Sequence, residues 1–501
     1  MFIIYIFVII INLYYMMLLL QEGHYHYDSY LIIVKRFIKR KYSYLLLLPL
    51  VTLIEETIVI NISICLICMI YILMLLLERH IVKLKFTPRV IRLFVLCLLI
   101  NLLIGFVFYK HDIKFVYLLY ITEIILLISQ VLLTPVEALI NKYYMNKAKE
   151  KIKSINPLII GITGSAGKTS CKHYLYQMLK DKYITFMTPK SYNTVLGISK
   201  SINHDMNKFT EVAIIEFGAS HKGDIKKSLR VARPNISLIT NISIQHLETF
   251  KTVDNIIKEK CLLMESSDVH FYNVNSKYKL SDDKKLYSFG LEKDVFKESN
   301  LENKVPSFYS SNIRYDKNGT RFDFHEKDKC VTFETSLLGE NNVINITSSI
   351  AICRYLGLDY DYLKTKVKLL KPVNARLEII RRGNRVIIND SFNSNKNGFI
   401  EALNVVNLFE SDKLIITPGI VTGGEKLKVI NEEVSLKIIE TCDKCFLVES
   451  IATDYLRNVF DSNNYNYCVC DSFETAYNKA VSSENIKTIL IENDITDVYK
   501  K

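Results

Sequence analysis

The sequence predicts a multi-pass α-helical membrane region followed by α/β structure: a parallel-sheet domain that opens on a glycine-rich P-loop-like turn, then a Rossmann-like C-terminal domain. Three observations predict it. Residues 1–140 are dominated by Leu, Ile, Val, Phe and Tyr, while the remainder of the 501 residues has the composition of a soluble protein. From about residue 155, short apolar runs alternate with helix-like stretches, the βαβ rhythm of a parallel sheet. That rhythm restarts beyond Lys371-Pro372-Val373. The expected divisions are therefore 1–141, 155–370 and 371–501.

Within the first division, candidate spans fall at about 2–20, 57–77, 90–109 and 116–140, by the ~20-residue length that crosses a bilayer as a helix. Phe2 to Leu20 is too long, and lacks the basic start, for a cleavable signal. Residues 43–54, with Pro49, form a shorter apolar stretch that reads as half a hairpin or a re-entrant piece, with Glu55 and Glu56 at its tip. Arg79, Lys83, Lys85, Arg89 and Arg92 cluster in one loop, and Lys142, Lys147, Lys149, Lys151 and Lys153 follow the last span. Two spans separate these clusters, so both lie on one face, which the positive-inside rule makes cytoplasmic. Lys35, Arg36, Lys39, Arg40 and Lys41 join that face only if 43–77 crosses twice, which favours five crossings over four. Glu123 inside the last span is expected to be protonated or paired within the bundle. The chain is thus expected in the plasma membrane, in contact with its lipids, with the later domains in the cytoplasm.

Basic residues beside the spans account for part of the net charge of +12, so no nucleic-acid partner is needed to explain it. Eleven cysteines are scattered without a pairing framework, as suits a reducing cytosol. Cys442, Cys445, Cys468 and Cys470 have the wrong spacing for a zinc site and read as core or surface thiols.

In the soluble part, Pro157–Ile160, Val212–Ile215, Ile236–Ile239 and Val269–Tyr272 read as buried strands between helices. Residues 275–335 are more polar and read as an excursion of short antiparallel strands, with Asn318-Gly319 as a hairpin turn. Val386–Ile388, Leu414–Ile416, Cys445–Val448 and Thr488–Ile491 are the strands of the last domain.

The chemistry begins at Gly161-Ile162-Thr163-Gly164-Ser165-Ala166-Gly167-Lys168-Thr169-Ser170, after the first of these strands and before a helix-like stretch, Cys171 to Leu179. A strand, a glycine-rich turn and a helix start form an anion site, because free backbone N–H groups and the helix dipole face the ligand. Lys168 adds a full charge near the β/γ-phosphates, and the Thr169 hydroxyl suits Mg²⁺. Thr163 through Ser170 would line that cradle. A tight turn that merely lets a helix pack would need neither Lys168 nor Thr169. The common P-loop has glycine where this chain has Ile162; here glycine falls at 161, 164 and 167. Glu216, at the end of the second strand, can reach the same Mg²⁺.

The spacing G-x-T-G-S-x-G-K-T resembles the ATP loop of the Mur ligases, the amide-forming enzymes of peptidoglycan precursor synthesis. The resemblance continues in family order to the C-terminus and does not cover residues 1–150. It implies Glu216 as a Mg²⁺ ligand, His246 as a group serving a second metal ion, and Lys260, fourteen positions on, as a lysine carbamylated by CO₂ into an anionic ligand. Thr188 to Thr194 with Gly197 matches the loop that faces the acceptor substrate, through Asn193. In Gly339-Glu340-Asn341-Asn342-Val343-Ile344-Asn345, Asn342 and Asn345 match asparagines that lie near adenine, and Asn341 replaces the usual histidine. Arg376 matches the arginine that reaches the γ-phosphate. Asn389 to Lys396 resembles the D-D-S-Y-N-A-N-P segment of the MurF-like, D-alanyl-D-alanine-adding branch: Asp390, Asn393 and Asn395 match, with Asp390 toward the nucleotide and the asparagines toward substrate, while Asn389 and Lys396 depart. Thr422-Gly423-Gly424 stands where that branch has an acidic E-L-G, so the amino acceptor stays open.

The resemblance implies a membrane-anchored ligase that uses ATP and two Mg²⁺ ions. A small-molecule or lipid-linked carboxylate would be activated as an acyl phosphate and attacked by an amine, with closure between the loop and Arg376 gating the reaction. Other envelope-synthesis enzymes are candidate partners. The alternatives are a ligase for a capsular or lipid-linked polymer, and a non-catalytic membrane scaffold or transport component that binds nucleotide.

Overall fold

The computed structural model describes residues 2–22, 83–113, 117–242, 247–276, 285–295, 306–392, 395–409, 412–421, 424–483 and 485–493, with isolated positions between 25 and 73. It divides into two compact units, one within residues 1–141 and one from Lys142 to Asp494.

The first unit is helical. Helix α1 (Phe2–Glu22), α2 (Pro88–Lys110) and the start of α3 (Tyr117–Ile155) bury Leu13, Met16, Leu20, Leu93, Cys97 and Leu126 against one another. Thr87 caps α2 by accepting the Val90 N–H, and Pro88 at the first turn gives up no intrahelical donor. Arg92 of α2 pairs with Glu137 of α3 at 2.6 Å. The outer faces stay apolar, with Leu99, Leu103 and Phe106 on α2 and Val131, Leu132 and Leu139 on α3 exposed. Among the described residues, two helices, α2 and α3, are long and apolar enough to cross a bilayer. The stretches expected at 35–41, 43–54 and 57–77 lie essentially outside the described residues.

Helix α3 does not stop at the expected end of its span near 140. It runs 39 residues, through Pro135, to Ile155. Its last turns are held in the second unit: Met145, Ala148, Ile152 and Ile155 join a core with Ile159, Ile198, Ala213 and Phe217. Lys151 donates to the Asn203 carbonyl at 3.1 Å, and Asn203 donates back to that of Tyr144 at 3.0 Å. The apolar spacing of these four residues, three or four apart, is what keeps this segment helical and pressed on the sheet.

The second unit contains two sheets. The first has nine strands: β1 (Leu158–Thr163), β2 (Thr185–Met187), β3 (Val212–Glu216), β4 (Ile236–Ile239), β5 (Val269–Asn273), β6 (Lys285–Leu291), β7 (Phe308–Asp316), β8 (Gly319–Glu326) and β9 (Lys329–Thr335). Their order is β2-β3-β1-β4-β5-β6-β7-β8-β9. Residues 285–335 are therefore no separate excursion. β6 pairs parallel with β5 and β7 parallel with β6; only β7, β8 and β9 form an antiparallel meander, turning at Lys317-Asn318. Strand β2 was not foreseen, being three residues long. Helix α4 (Lys168–Leu179) covers one face with α8 (Glu340–Tyr355), burying Tyr174, Leu175, Val343 and Ile346.

The second sheet, of six strands, comprises β10 (Glu378–Arg382), β11 (Arg385–Asp390), β12 (Lys413–Thr417), β13 (Lys444–Val448), β14 (Tyr467–Cys470) and β15 (Thr488–Glu492), in the order β10-β11-β15-β12-β13-β14. All pairs are parallel except β10 with β11.

Candidate active site

Strand register brings the site together. β1 lies between β3 and β4, with Ile162 opposite Glu216 and Thr163 opposite Ile239. The glycine-rich loop, Glu216 and Thr240 therefore leave the sheet at the same carboxyl edge, where parallel sheets bind ligands. Gly167 precedes α4 at φ +80°, and a Cβ there would collide with the Asn345 side chain. A Cβ on Gly164 would collide with Thr240. Glycine at these two positions lets the backbone turn in close contact with Thr240 and Asn345.

The side chains of the loop divide by role. Thr163, expected in the cradle, instead donates its hydroxyl to the Phe217 carbonyl at 2.9 Å and is fully buried; it stitches β1 to the segment after β3. The Lys168 ammonium is folded onto the loop, 2.7 Å from the Gly164 carbonyl and 3.2 Å from that of Ser165. Burial lowers its pKa, Glu216 raises it, and Arg376 lowers it further. Thr169 donates to Glu216 Oε2 at 3.0 Å, and Arg376 Nη2 donates to Thr169 Oγ1 at 3.5 Å. Loop, carboxylate and arginine thus converge on one cavity of about 750 Å³, which Ser165 to Ser170 line.

Glu216 is buried, which by itself raises its pKa, but Lys172, Lys168 and an amide hydrogen bond from Asn193 (3.0 Å to Oε1) outweigh that and hold the carboxyl low. It is a fixed anion facing the Thr169 hydroxyl. Asn193 is in turn set by its own carbonyl, which accepts the Gly218 N–H at 2.8 Å.

Lys260 lies on α7 (Val253–Glu265), where its neighbour Lys258 suggests a solvated face. The structure buries it: it is 4% exposed, and its ammonium donates to Ser165 Oγ at 2.6 Å. Burial, with Lys168 adding to it, pushes its pKa well down. A lysine so placed carries a free-base population, the form that reacts with CO₂. His246 and Asn393 lie outside the described residues.

Asn342 and Asn345 sit at the start of α8. Asn342 donates to the Leu338 carbonyl at 2.8 Å and accepts the Tyr174 hydroxyl at 2.6 Å. The Asn345 amide oxygen is 3.3 Å from Cys171 Sγ. Both line the cavity while clamping α8 to α4.

Arg376 is presented by an unusual turn. Its neighbours Ala375 and Leu377 both have positive φ, +57° and +50°. Side chains other than glycine's tolerate this region only when their surroundings hold them. Asp390 Oδ1 accepts the Leu377 N–H at 2.9 Å, Glu378 accepts that of Ala375 at 3.1 Å, and Phe392 lies under the guanidinium, 4.5 Å to the ring centroid. Asp390, expected at the nucleotide, therefore lines the cavity and also fixes the arginine turn; burial raises its pKa to about 6. Asn395, expected to face substrate, lines the cavity and also caps α10 (Lys396–Val406) by accepting the Gly398 N–H at 3.1 Å.

Three residues were given no role from the sequence, although Phe392 lies within the Asn389 to Lys396 motif. Lys172, one helical turn beyond Lys168, pairs with Glu216 at 3.1 Å. Phe392 supports Arg376. Glu401 on α10 lines the cavity and accepts the Asn341 N–H at 2.6 Å, capping α8 from a helix packed on the other sheet. The i,i+4 spacing from Lys168 was the one available signal for Lys172; nothing local marks Glu401.

Residues 162–353 match the Mur ligase middle domain. The matched residues take in most of the nine-stranded sheet and helix α8. Its relatives include the UDP-N-acetylmuramoyl-tripeptide--D-alanyl-D-alanine ligases of Buchnera aphidicola, one strain's 28% identical over 340 residues (62% of this chain, 72% of that protein) and another's 28% identical over 270 residues (52% and 56%). The Bacillus subtilis enzyme of the same name is 24% identical over 57% of this chain and 61% of its own length. The chain thus spans somewhat over half to about seven tenths of the length of these relatives. The crystal structure of MurF ligase from Thermotoga maritima in complex with ADP shares the fold at TM-score 0.59 and 22% identity, over 72% of this chain and 81% of that one. A MurF from Acinetobacter baumannii superposes at TM-score 0.60 with 19% identity.

Proposed function

We propose that this chain is an ATP-dependent amide ligase of cell-envelope precursor synthesis, joining a carboxylate to an amine with formation of ADP and phosphate. The observation that carries the reading is the convergence of Lys168, Thr169, Glu216 and Arg376 on one cavity between the two sheets. The names of the relatives and the ADP in the Thermotoga neighbour support the same nucleotide and reaction class.

The residues fit magnesium: the Thr169 hydroxyl and the Glu216 carboxylate are hard oxygen donors 3.0 Å apart, the carboxylate stays ionised, and the loop beside them faces phosphate. Thr169 and Glu216 would hold one ion; His246 and a carbamylated Lys260 would serve a second. Magnesium supplies charge neutralisation on the phosphates. The chain's own groups do the rest. Backbone N–H groups of 166–169 hold the phosphates, and Lys168 leaves its loop carbonyls for the β/γ-oxygens. Arg376, locked by Asp390 and Phe392, meets charge that develops on the transferring phosphoryl group. The substrate carboxylate oxygen attacks the γ-phosphorus as the bond to ADP breaks. The amine nitrogen then attacks the acyl carbon, phosphate leaves, and the amine loses its proton. Asn193 and the segment around Asn393 and Asn395 would orient the two substrates.

The first-choice substrates are those of the relatives, a UDP-N-acetylmuramoyl-tripeptide and D-alanyl-D-alanine. A lipid-linked acceptor is the second reading, favoured by the exposed apolar faces of α2 and α3, which we take as part of a multi-pass anchor with the ligase domains, 155–370 and 371–501, on the cytoplasmic side. An ADP-release assay on the full chain in detergent, offering nucleotide-linked and lipid-linked acceptors with D-alanyl-D-alanine, decides between them. Activity that Lys168→Ala abolishes supports the reading. No ADP from any carboxylate and amine pair would leave the non-catalytic scaffold.

A further inference from the structure

Lys172 has no exposed surface. A buried ammonium without compensation costs several kcal/mol, so its partners define what it is for. They are two: Glu216 Oε2 at 3.1 Å, and the main-chain carbonyl of Lys190. Glu216 Oε2 also accepts the Thr169 hydroxyl. One ammonium thus bridges the candidate magnesium carboxylate and a loop eighteen residues away in sequence.

That loop is 188–193, and its middle is strained. Lys190 has φ +47°, a conformation that costs a residue with a Cβ about 1 kcal/mol or more. The loop's ends are pinned to β3. The Thr188 N–H donates to the Ile214 carbonyl at 3.1 Å and the Thr188 hydroxyl accepts the Glu216 N–H at 3.3 Å. At the other end, the Asn193 carbonyl and amide hold Gly218 and Glu216. Between the pins, Lys172 grips the carbonyl of the strained residue itself.

We propose that Lys172 is a positioning residue that aims Glu216 at Thr169 and ties the loop 188–193 to that carboxylate. In the ligase reading, on which the loop's role as the acceptor-facing segment rests, one buried cation keeps the metal side and the substrate side of the site in register. Lys172 is not among the residues that line the cavity.

The test uses the full-length protein in detergent. Lys190 is exposed, and trypsin can cut the bond after it only if its carbonyl leaves Lys172. Cleavage after Lys190 is timed by fragment mass against cleavage after Lys208, an exposed lysine in another loop. In Lys172→Met this ratio is expected to rise about ten- to a hundredfold, the population change that follows loss of one charged hydrogen bond. Lys172→Met with Glu216→Gln removes both buried charges, guards against misfolding of the single variant, and is expected to show the same rise. In the single variant the magnesium half-saturation and the acceptor KM for ADP release should climb together, with the KM for ATP little changed. A ratio within about twofold of wild type in both variants overturns the proposal, because a loop that ignores the bond is not held by it. If wild type releases no ADP, the ligase reading fails while the cleavage ratio still decides the tether.

Discussion

Lys260 Nζ lies 2.6 Å from Ser165 Oγ, joining a buried lysine on α7 to the glycine-rich loop. Burial and nearby Lys168 both disfavour its charged form, which favours the neutral amine, the form that CO₂ carbamylates. Carbamylation would turn it from cation to anion beside the loop. ADP release should therefore fall in CO₂-free buffer and recover with bicarbonate, and ¹³C-bicarbonate should give a carbamate carbon signal that Lys260→Ala lacks. Lys260→Arg, which keeps a cation, should stay at least about a hundredfold down in kcat. Full activity in Lys260→Arg would exclude carbamylation.

Gly167 sets the entry to α4. With φ +80° and the Asn345 side chain where a Cβ would stand, Gly167→Ala must both strain the turn and displace Asn345. The cost should be about 1–3 kcal/mol, lowering the melting temperature by a few degrees. Protection by ATP against thermal unfolding should be lost as well. A variant that still gains full protection from ATP would show that the turn does not shape the cradle.

Glu401 predicts a pH effect. Burial, with Glu340 and Asp390 nearby, lifts its carboxyl from 4.5 to about 8, with the Asn341 N–H and Lys293 opposing. The folded form holds the proton more tightly than the unfolded one, so this group's contribution to stability is full below pH 4.5. It declines as pH rises from there and is lost above about 8. Glu401→Gln keeps an acceptor for Asn341 and removes the titration. It should melt several degrees above wild type at pH 9, with the gap closing toward pH 4.5, in scans of both proteins across that range. Parallel curves would refute the assignment.

Much of the site was legible because it is local. A strand, a glycine turn and a helix start are written in consecutive residues, so Gly164 to Thr169 could be placed without a fold. Glu216 could be placed because a parallel strand ends there. Arg376 was legible as a cation at a boundary, but its turn was not. Ala375 and Leu377 carry no glycine signal, and their positive φ is maintained by Asp390 and Glu378 through tertiary hydrogen bonds. Thr163 was not legible for a related reason: a polar side chain in a motif has the same letter whether it meets a ligand or a backbone group.

By itself the sequence determined the periodicities: apolar helices first, then alternating strands and helices, and a strand-to-helix turn whose glycines are required by backbone sterics. Those are short-range properties, decided within about ten residues. Tertiary structure alone decided the burial of Lys260 and Lys172, the packing of Met145 to Ile155 on the sheet, and the meeting of Glu401 with Asn341 from helices packed on different sheets. Each depends on which surfaces exclude water together. A lysine in sequence is a charge, and only packing decides whether it is solvated, paired, or neutral.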